Sequence, residues 1–132
     1  MPKDKKGLTK AEEELMQHLW GLEKAYLKDL VEAYPEPRPA YTTVATVVRV
    51  LVKKGFIGFD THGKVHEYHP TVSKQSYFSG QLNRMVGSFF GGSMTRFASY
   101  FTSNEDLKLN ELEAIKAMIE EQIDQKKGGD DA

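Results

Sequence analysis

Residues 41–54 read YTTVATVVRVLVKK, and their five valines and three threonines favour extended structure. The apolar residues, however, recur at intervals of three and four, which is the spacing of one face of an α-helix. That inner face would hold Val44, Val47, Val48 and Leu51. The opposite face would present Thr42, Ala45, Thr46, Arg49 and Lys53. The stretch therefore predicts an amphipathic helix with a small, hydroxylic and basic outer face.

Two shorter helices are predicted before this one. Residues 9–12 have the form of a capping box that opens the first helix, and Gly21 is expected to end it. The second covers residues 27–34 at helical spacing and stops at Pro35. Gly55 is expected to close the third helix as its C-terminal cap.

A β-hairpin is predicted directly after the third helix. Residues 56–59 and 65–68 are short runs of strand-forming residues on either side of a turn that contains Gly63, and Pro70 ends the second run. Three helices followed by a hairpin is the element order of a winged helix-turn-helix domain. We expect this domain to span residues 1–72.

The remaining chain is predicted to be helical. A helix over residues 74–87 precedes a break at residues 89–92, and Ser93 is expected to cap a further short helix. Residues 110–113 have the form of a second capping box and open the last helix, which should run to Lys127. These helices would form a second domain over residues 73–127, with a disordered tail at 128–132.

The second domain is too small to bury all of its large apolar side chains, so part of them should form an interface between two copies of the chain. The candidates are Phe89, Phe90, Met94, Phe97, Phe101, Leu112, Ile115 and Ile119. The predicted fold class is therefore mainly α with a small β-hairpin wing. It combines a winged helix-turn-helix domain with a C-terminal helical dimerisation domain.

Composition and charge narrow the function. The chain has no cysteine, and its polar first ten residues lack the apolar stretch of a secretory signal, so we expect a cytoplasmic protein without membrane insertion. We find no phosphate-binding glycine loop, nucleophile elbow or close carboxylate pair, and predict neither an enzyme nor a cofactor or metal. The net charge is −1, yet residues 38–75 carry six Lys and Arg against two Asp and Glu, a surplus of four positive charges. Such a basic region can contact DNA phosphates.

The third helix is the part of the chain that a major groove can accept. Its small outer residues would let the helix approach the base edges, and Arg49 can bond to guanine or phosphate. The hairpin tip would lie along the flanking phosphates or in the minor groove. The predicted DNA contacts are Arg38, Tyr41, Thr42, Thr43, Ala45, Thr46, Arg49, Lys53, Lys64 and His66.

Residues 41–57 resemble the recognition-helix signature of the penicillinase and methicillin-resistance repressor family (BlaI/MecI, with the copper-responsive CopY branch). Residues 8–20 and the wing end at 68–70 are also similar to this family, and residues 89–92 and 104–107 resemble its dimerisation region. The resemblance implies a homodimer that binds a palindromic operator in double-stranded DNA and blocks transcription. A regulatory protease or a membrane sensor would supply the releasing signal.

Three departures from the family pattern affect what the resemblance implies. Family members usually carry a basic residue at the position of Ala45 and an Arg at that of Val50, whereas here Arg49 lies one residue earlier. The operator sequence is therefore not carried over. The bond cleaved in the resistance repressors joins Asn to Phe and corresponds here to Tyr100–Phe101, so this candidate cleavage bond differs in its first residue. The absence of cysteine excludes a copper switch built on thiolates.

Two other functions remain open from the sequence. His62, His66 and His69 lie in or beside the hairpin and could make the chain a metal- or pH-sensing repressor, although no carboxylate or thiolate cluster completes a coordination shell. A winged helix can also bind only proteins, since a fold alone does not fix a function. Arg49 and the local basic surplus argue against this second alternative.

Overall fold

The computed structural model describes residues 7–104 and 106–131, with side chains for residues 7–103 and 106–129. The start of the polar N-terminal segment and the last residue of the predicted tail, Ala132, lie outside the described residues. The chain divides into two compact units, Met1–Arg84 and Met85–Ala132. Among the described helices, none is both long and apolar enough to cross a membrane.

The first unit contains three helices and a small sheet, as the sequence predicts. Its elements are α1 (Lys10–Leu22), β1 (Ala25–Tyr26), α2 (Leu27–Ala33), α3 (Tyr41–Lys54), β2 (Ile57–His62), β3 (Val65–Pro70) and the first part of α4 (Lys74–Phe90). The strands are antiparallel in the order β1-β3-β2. The predicted hairpin is confirmed and forms the wing, β2 and β3. Strand β1 was not predicted, because two residues are too few to show an alternating pattern.

Helix α1 begins at the predicted capping box. The hydroxyl of Thr9 accepts the Glu12 backbone N–H at 3.2 Å, and the Glu12 carboxylate accepts the Thr9 N–H at 3.0 Å. The prediction that Gly21 ends this helix is wrong. The helix continues to Leu22, and Glu23 turns the chain with a φ of 71° while its N–H bonds to the Leu19 carbonyl.

The core of the first unit lies between α1, α2 and the inner face of α3. The fully buried side chains are Leu15, Met16, Leu19, Leu30, Val44, Val48 and Leu51. These residues come from the predicted apolar faces of the three helices, whereas Val47 is only half buried. Burial of these side chains in one cluster fixes the rotation of α3 about its own axis, because rotating the helix would expose its apolar residues to water.

An ion pair joins the first turn of α1 to the last turn of α3. The Lys54 Nζ lies 2.8 and 2.9 Å from the two carboxylate oxygens of Glu12, and Glu12 is a buried residue. Burial by itself raises the pKa of Glu12, but the hydrogen bond and charge of Lys54 and the backbone N–H of Thr9 outweigh it. The pKa therefore lies below its ordinary value. The pair holds one end of α3 against α1.

Helix α3 ends at Gly55, as predicted. This residue has a φ of 88°, in the left-handed region that disfavours any side chain with a Cβ. Its N–H bonds to the Val52 carbonyl at 3.1 Å, and the Phe56 N–H reaches the Leu51 carbonyl at 2.9 Å. The chain can then turn directly into β2.

The first part of α4 packs onto α1. The indole N–H of Trp20 donates to the Val72 carbonyl at 2.8 Å, and the Tyr77 hydroxyl accepts the Leu8 N–H at 2.8 Å. The rings of Trp20 and Tyr77 lie 6.0 Å apart. The first compact unit therefore extends past residue 72, where the sequence pattern predicts the domain limit.

The second unit comprises the end of α4 with α5 (Met94–Asn104) and α6 (Leu109–Asp131). Gly91 and Gly92, with φ of 60° and 82°, form the predicted break. The Ser93 hydroxyl accepts the Arg96 N–H at 3.0 Å, which confirms Ser93 as the cap of α5. Helix α4 nevertheless runs to Phe90, three residues beyond the predicted end at residue 87, since the glycines and not the phenylalanines interrupt it.

Both predicted ends of the last helix need correction. The carboxylate of Glu111 accepts the Lys108 N–H at 2.9 Å, so α6 begins at Leu109 and not after the expected capping box at residues 110–113. It ends at Asp131 and not at Lys127. Gly128 and Gly129 keep negative φ angles and continue the helix, instead of forming the left-handed cap that the sequence suggests.

Candidate nucleic-acid interface

The outer face of α3 has the composition that the sequence predicts. Thr42, Thr46, Arg49 and Lys53 are exposed, and Ala45 is half buried. The opposite face carries the fully buried core valines and Leu51. Since these polar side chains are not needed for the core, they are available for contact with another molecule.

Three residues of this face are joined by hydrogen bonds. The Thr46 hydroxyl donates to the Thr42 carbonyl at 2.9 Å. The same oxygen lies 3.3 Å from Nη2 of Arg49, which donates to it. Arg49 therefore lies back over the preceding turn of α3, the direction that helical side chains prefer.

The first turn of α3 adds exposed residues at the helix N-terminus. Tyr41 and Thr43 are exposed, and Ala40 provides the N-cap position without a side-chain hydrogen bond. The first turn contains no acidic residue, whereas the last turn contains Lys53 and Lys54. The helix N-terminus therefore carries no acidic side chain of its own that would repel phosphate.

Arg38 has a structural role that the sequence did not reveal. Its guanidinium bonds to the Tyr34 carbonyl at 3.1 Å, to the Glu32 carbonyl at 3.2 Å and to the Glu36 carboxylate at 2.7 Å. The two carbonyls belong to the C-terminal end of α2, where unpaired carbonyls need donors. Arg38 thus closes α2 and orders the connector to α3, in addition to any contact it makes with DNA.

The wing presents Lys64 and His66 as exposed residues. Lys64 lies in the turn between β2 and β3. The ring of His66 lies 4.2 Å from that of Phe59, and its Nδ1 is 3.1 Å from the Thr61 hydroxyl. These contacts hold His66 against one face of the hairpin.

Tyr68 is an interface candidate that the sequence analysis missed. It lies on β3 and is half buried, and burial raises the pKa of its hydroxyl. The positive charge of Arg49 acts on the Tyr68 pKa in the opposite direction, so the two side chains are close enough to interact. Tyr68 therefore lies within electrostatic range of the outer face of α3. The sequence analysis placed Tyr68 only in the second strand of the hairpin and did not predict this neighbour.

The wing histidines do not come together as a metal site. His62 Nε2 lies 3.2 Å from a Glu67 oxygen, whereas His66 contacts Thr61 and Phe59. Within the described residues, no group of three or more His, Asp or Glu side chains is arranged to hold a metal ion.

The second unit carries the candidate dimerisation residues, which divide into two groups. Phe89, Met94 and Ile119 are exposed, with 77% of the Phe89 side chain accessible. The half-buried members are Phe90, Phe97, Phe101, Leu112 and Ile115. Phe97 packs against Phe90 at 5.7 Å and against Phe101 at 6.1 Å, so these rings form an intramolecular cluster.

Helix α6 extends the exposed apolar surface beyond the residues that the sequence singled out. Met118 and Ile123 are exposed beside Ile119. Together with Ile115 they form one open apolar face of the helix. Tyr100–Phe101, the candidate cleavage bond, lies inside α5.

The elements of the first unit define the class of protein as a winged helix. A model of the penicillinase repressor family matches residues 8–121, and the chain belongs to this family of transcriptional repressors. The chain is 22% identical to the penicillinase repressor of Bacillus licheniformis over 121 residues, which are 91% of this chain and 94% of the relative. It is 23% and 22% identical to the methicillin resistance regulatory protein MecI of Mammaliicoccus sciuri and of Staphylococcus aureus. Each match covers 113 residues, or 85% of this chain and 92% of the relative. The family resemblance inferred from the motifs is confirmed.

Proposed function

We propose that the chain is a cytoplasmic homodimeric repressor that binds a palindromic operator through α3 in the major groove and the wing on the flanking backbone. The observation that carries the proposal is the outer face of α3, where Arg49 and three small residues are freed from the core. Membership of a repressor family supports the same function.

The small side chains of α3 determine how closely it can approach the bases. Thr42, Ala45 and Thr46 add little bulk, so the helix can enter a groove about 12 Å wide. Arg49 would donate two bonds to O6 and N7 of guanine. Lys53, Lys64 and His66 would contact phosphates and so fix the register of the protein without reading sequence.

The proposal of a dimer is supported by the small size of one reading surface and by the exposed apolar residues of the second unit. A single small recognition helix buries too little surface for specific affinity, and two half-sites a helical turn apart correct this. The open apolar face around Ile119 on α6 and the exposed Phe89 are the surfaces we propose to be covered in the dimer.

A regulatory protease acting at Tyr100–Phe101 would cut within α5, and a local opening of this helix would have to come first. A membrane sensor is the upstream partner that such a pathway would need.

The test is binding of the purified chain to DNA fragments from its own promoter at low and moderate salt. We expect protection of a palindrome, a steep loss of affinity with salt, and a loss of roughly 10- to 100-fold for Arg49→Ala. Arg96→Ala on α5 is the matched control and should bind like the wild type. A folded, dimeric protein that protects no fragment would exclude the proposal and favour a winged helix that binds proteins.

A further inference from the structure

The hydrogen-bond chain on α3 has a defined direction. The Thr46 hydroxyl has one proton, which it donates to the Thr42 carbonyl at 2.9 Å. Its oxygen then accepts a proton from Nη2 of Arg49 at 3.3 Å. Threonine satisfies both partners at once because a hydroxyl is one donor and two acceptors.

This chain restricts a side chain that is otherwise flexible. A free arginine populates many rotamers, and this freedom is lost when it forms a bidentate contact. One of its five N–H donors is occupied by Thr46, and four remain for another molecule. Arg49 is exposed, so these donors are accessible along the outer face of α3.

We infer that Thr46 is a positioning residue, which holds the Arg49 guanidinium in place to read one guanine of each half-site through O6 and N7. The inference rests on the proposed function, because it names the base chemistry that α3 would recognise. Two parallel donors must face the guanine edge together. A guanidinium already tied to its own helix loses less freedom on forming them.

A direct role for Thr46 makes different predictions. If its methyl group packs against a thymine, affinity for DNA should fall when the methyl group is removed and should not fall when only the hydroxyl is removed. If the hydroxyl only back-bonds to the helix, its removal would change helix stability and leave base preference unaltered. The substitutions to valine and to serine separate these cases, because each keeps one of the two groups.

The experiment measures dissociation constants for operator DNA and for operator in which each guanine is replaced in turn by 7-deazaguanine, which lacks the N7 acceptor. We expect Thr46→Val to bind the natural operator about 3- to 10-fold more weakly, the net effect of one hydrogen bond. At one position of each half-site, replacing guanine by 7-deazaguanine should weaken binding of Thr46→Val less than it weakens binding of the wild type. Thr46→Ser should restore both affinity and preference.

Two controls tie the effect to Arg49. Thr102→Val removes a helix back-bond of the same kind, from the Thr102 hydroxyl to the Ala98 carbonyl at 2.8 Å in α5, and should leave DNA binding unchanged. In the Arg49→Ala background, Thr46→Val should have almost no further effect, because the residue it positions is absent.

The outcomes separate this inference from the proposed function. If the wild-type chain protects no operator, both fail together. If the wild type binds but Thr46→Val keeps the full 7-deazaguanine penalty, only the inference fails. It also fails if the loss is equally large without Arg49, or if serine does not rescue.

Discussion

Glu12 shows how one residue can serve two contacts in the first unit. Its carboxylate accepts the Thr9 N–H in the capping box and also pairs with Lys54 at the end of α3. The first contact would survive replacement by glutamine, which also occurs in capping boxes, but the second depends on the charge. The two roles can therefore be separated by a single substitution.

Glu12→Gln should lower the free energy of unfolding at pH 7 by about 1 kcal/mol. The loss should be smaller than for a fully buried ion pair, because the Lys54 side chain is partly exposed. The folded-state pKa of Glu12 is depressed, so the contribution is complete above the ordinary value of 4.5 and is lost as pH falls through the folded-state pKa. The wild type and variant should thus converge in acid. Urea unfolding at several pH values measures this difference.

Glu13→Gln is the matched control, since Glu13 is an exposed neighbour in the same first turn. Its stability should stay within about 0.5 kcal/mol of the wild type. An equal loss for both variants, or a difference for Glu12→Gln that persists in acid, would contradict the assignment.

At the scale of elements, the wing is the part whose contribution to binding can be measured separately. Lys64 lies in the turn between β2 and β3 and is exposed. If it contacts a phosphate, Lys64→Ala should weaken binding to all sequences alike and reduce the salt slope by about one. Lys116→Ala on α6 should keep the wild-type slope. A Lys64 variant with altered base preference and an unchanged slope would place Lys64 at a base edge instead.

The sequence predicted elements well where one periodicity covered several turns. The helical spacing of four apolar residues in α3 correctly predicted a helix although its composition favours a strand, and three of these residues are fully buried. Element ends were less predictable, because several residues can serve as caps. Glu23 ends α1 with a positive φ that only tertiary packing could select, and Lys108 took the N-cap position of α6 expected further along the chain.

The candidate site was predictable as a face and not as a set of contacts. Periodicity placed Thr42, Thr46 and Arg49 on one side of α3, and the structure adds the bonds between them. The bonds of Arg38 to the end of α2 are local but depend on how the chain turns after that helix, and the electrostatic interaction of Tyr68 with Arg49 depends on tertiary structure. No sequence pattern encodes contacts between separate elements.

At the scale of the whole molecule, operator binding should depend on α6, which belongs to the second compact unit. Ile119→Glu places a charge on the open apolar face of α6 and should shift the chain from dimer to monomer in sedimentation velocity. Operator affinity should then fall by on the order of 100-fold or more, since two linked half-sites bind far more tightly than one.

Ala117→Glu introduces the same charge on the opposite side of α6, where Ala117 is exposed, and should remain dimeric. A dimeric Ile119→Glu protein with wild-type affinity would show that this face of α6 is not the interface. A monomer with unchanged affinity would show that dimerisation is not needed for recognition.

Helix α3 keeps its buried and exposed residues on separate sides, and this separation has an evolutionary consequence. Val44, Val48 and Leu51 hold the helix in the core, while Thr46 and Arg49 take no part in it. Substitutions at the second pair change what the helix can recognise at little cost to folding. After gene duplication, one copy can acquire a new regulatory target through a few point mutations while its scaffold remains intact.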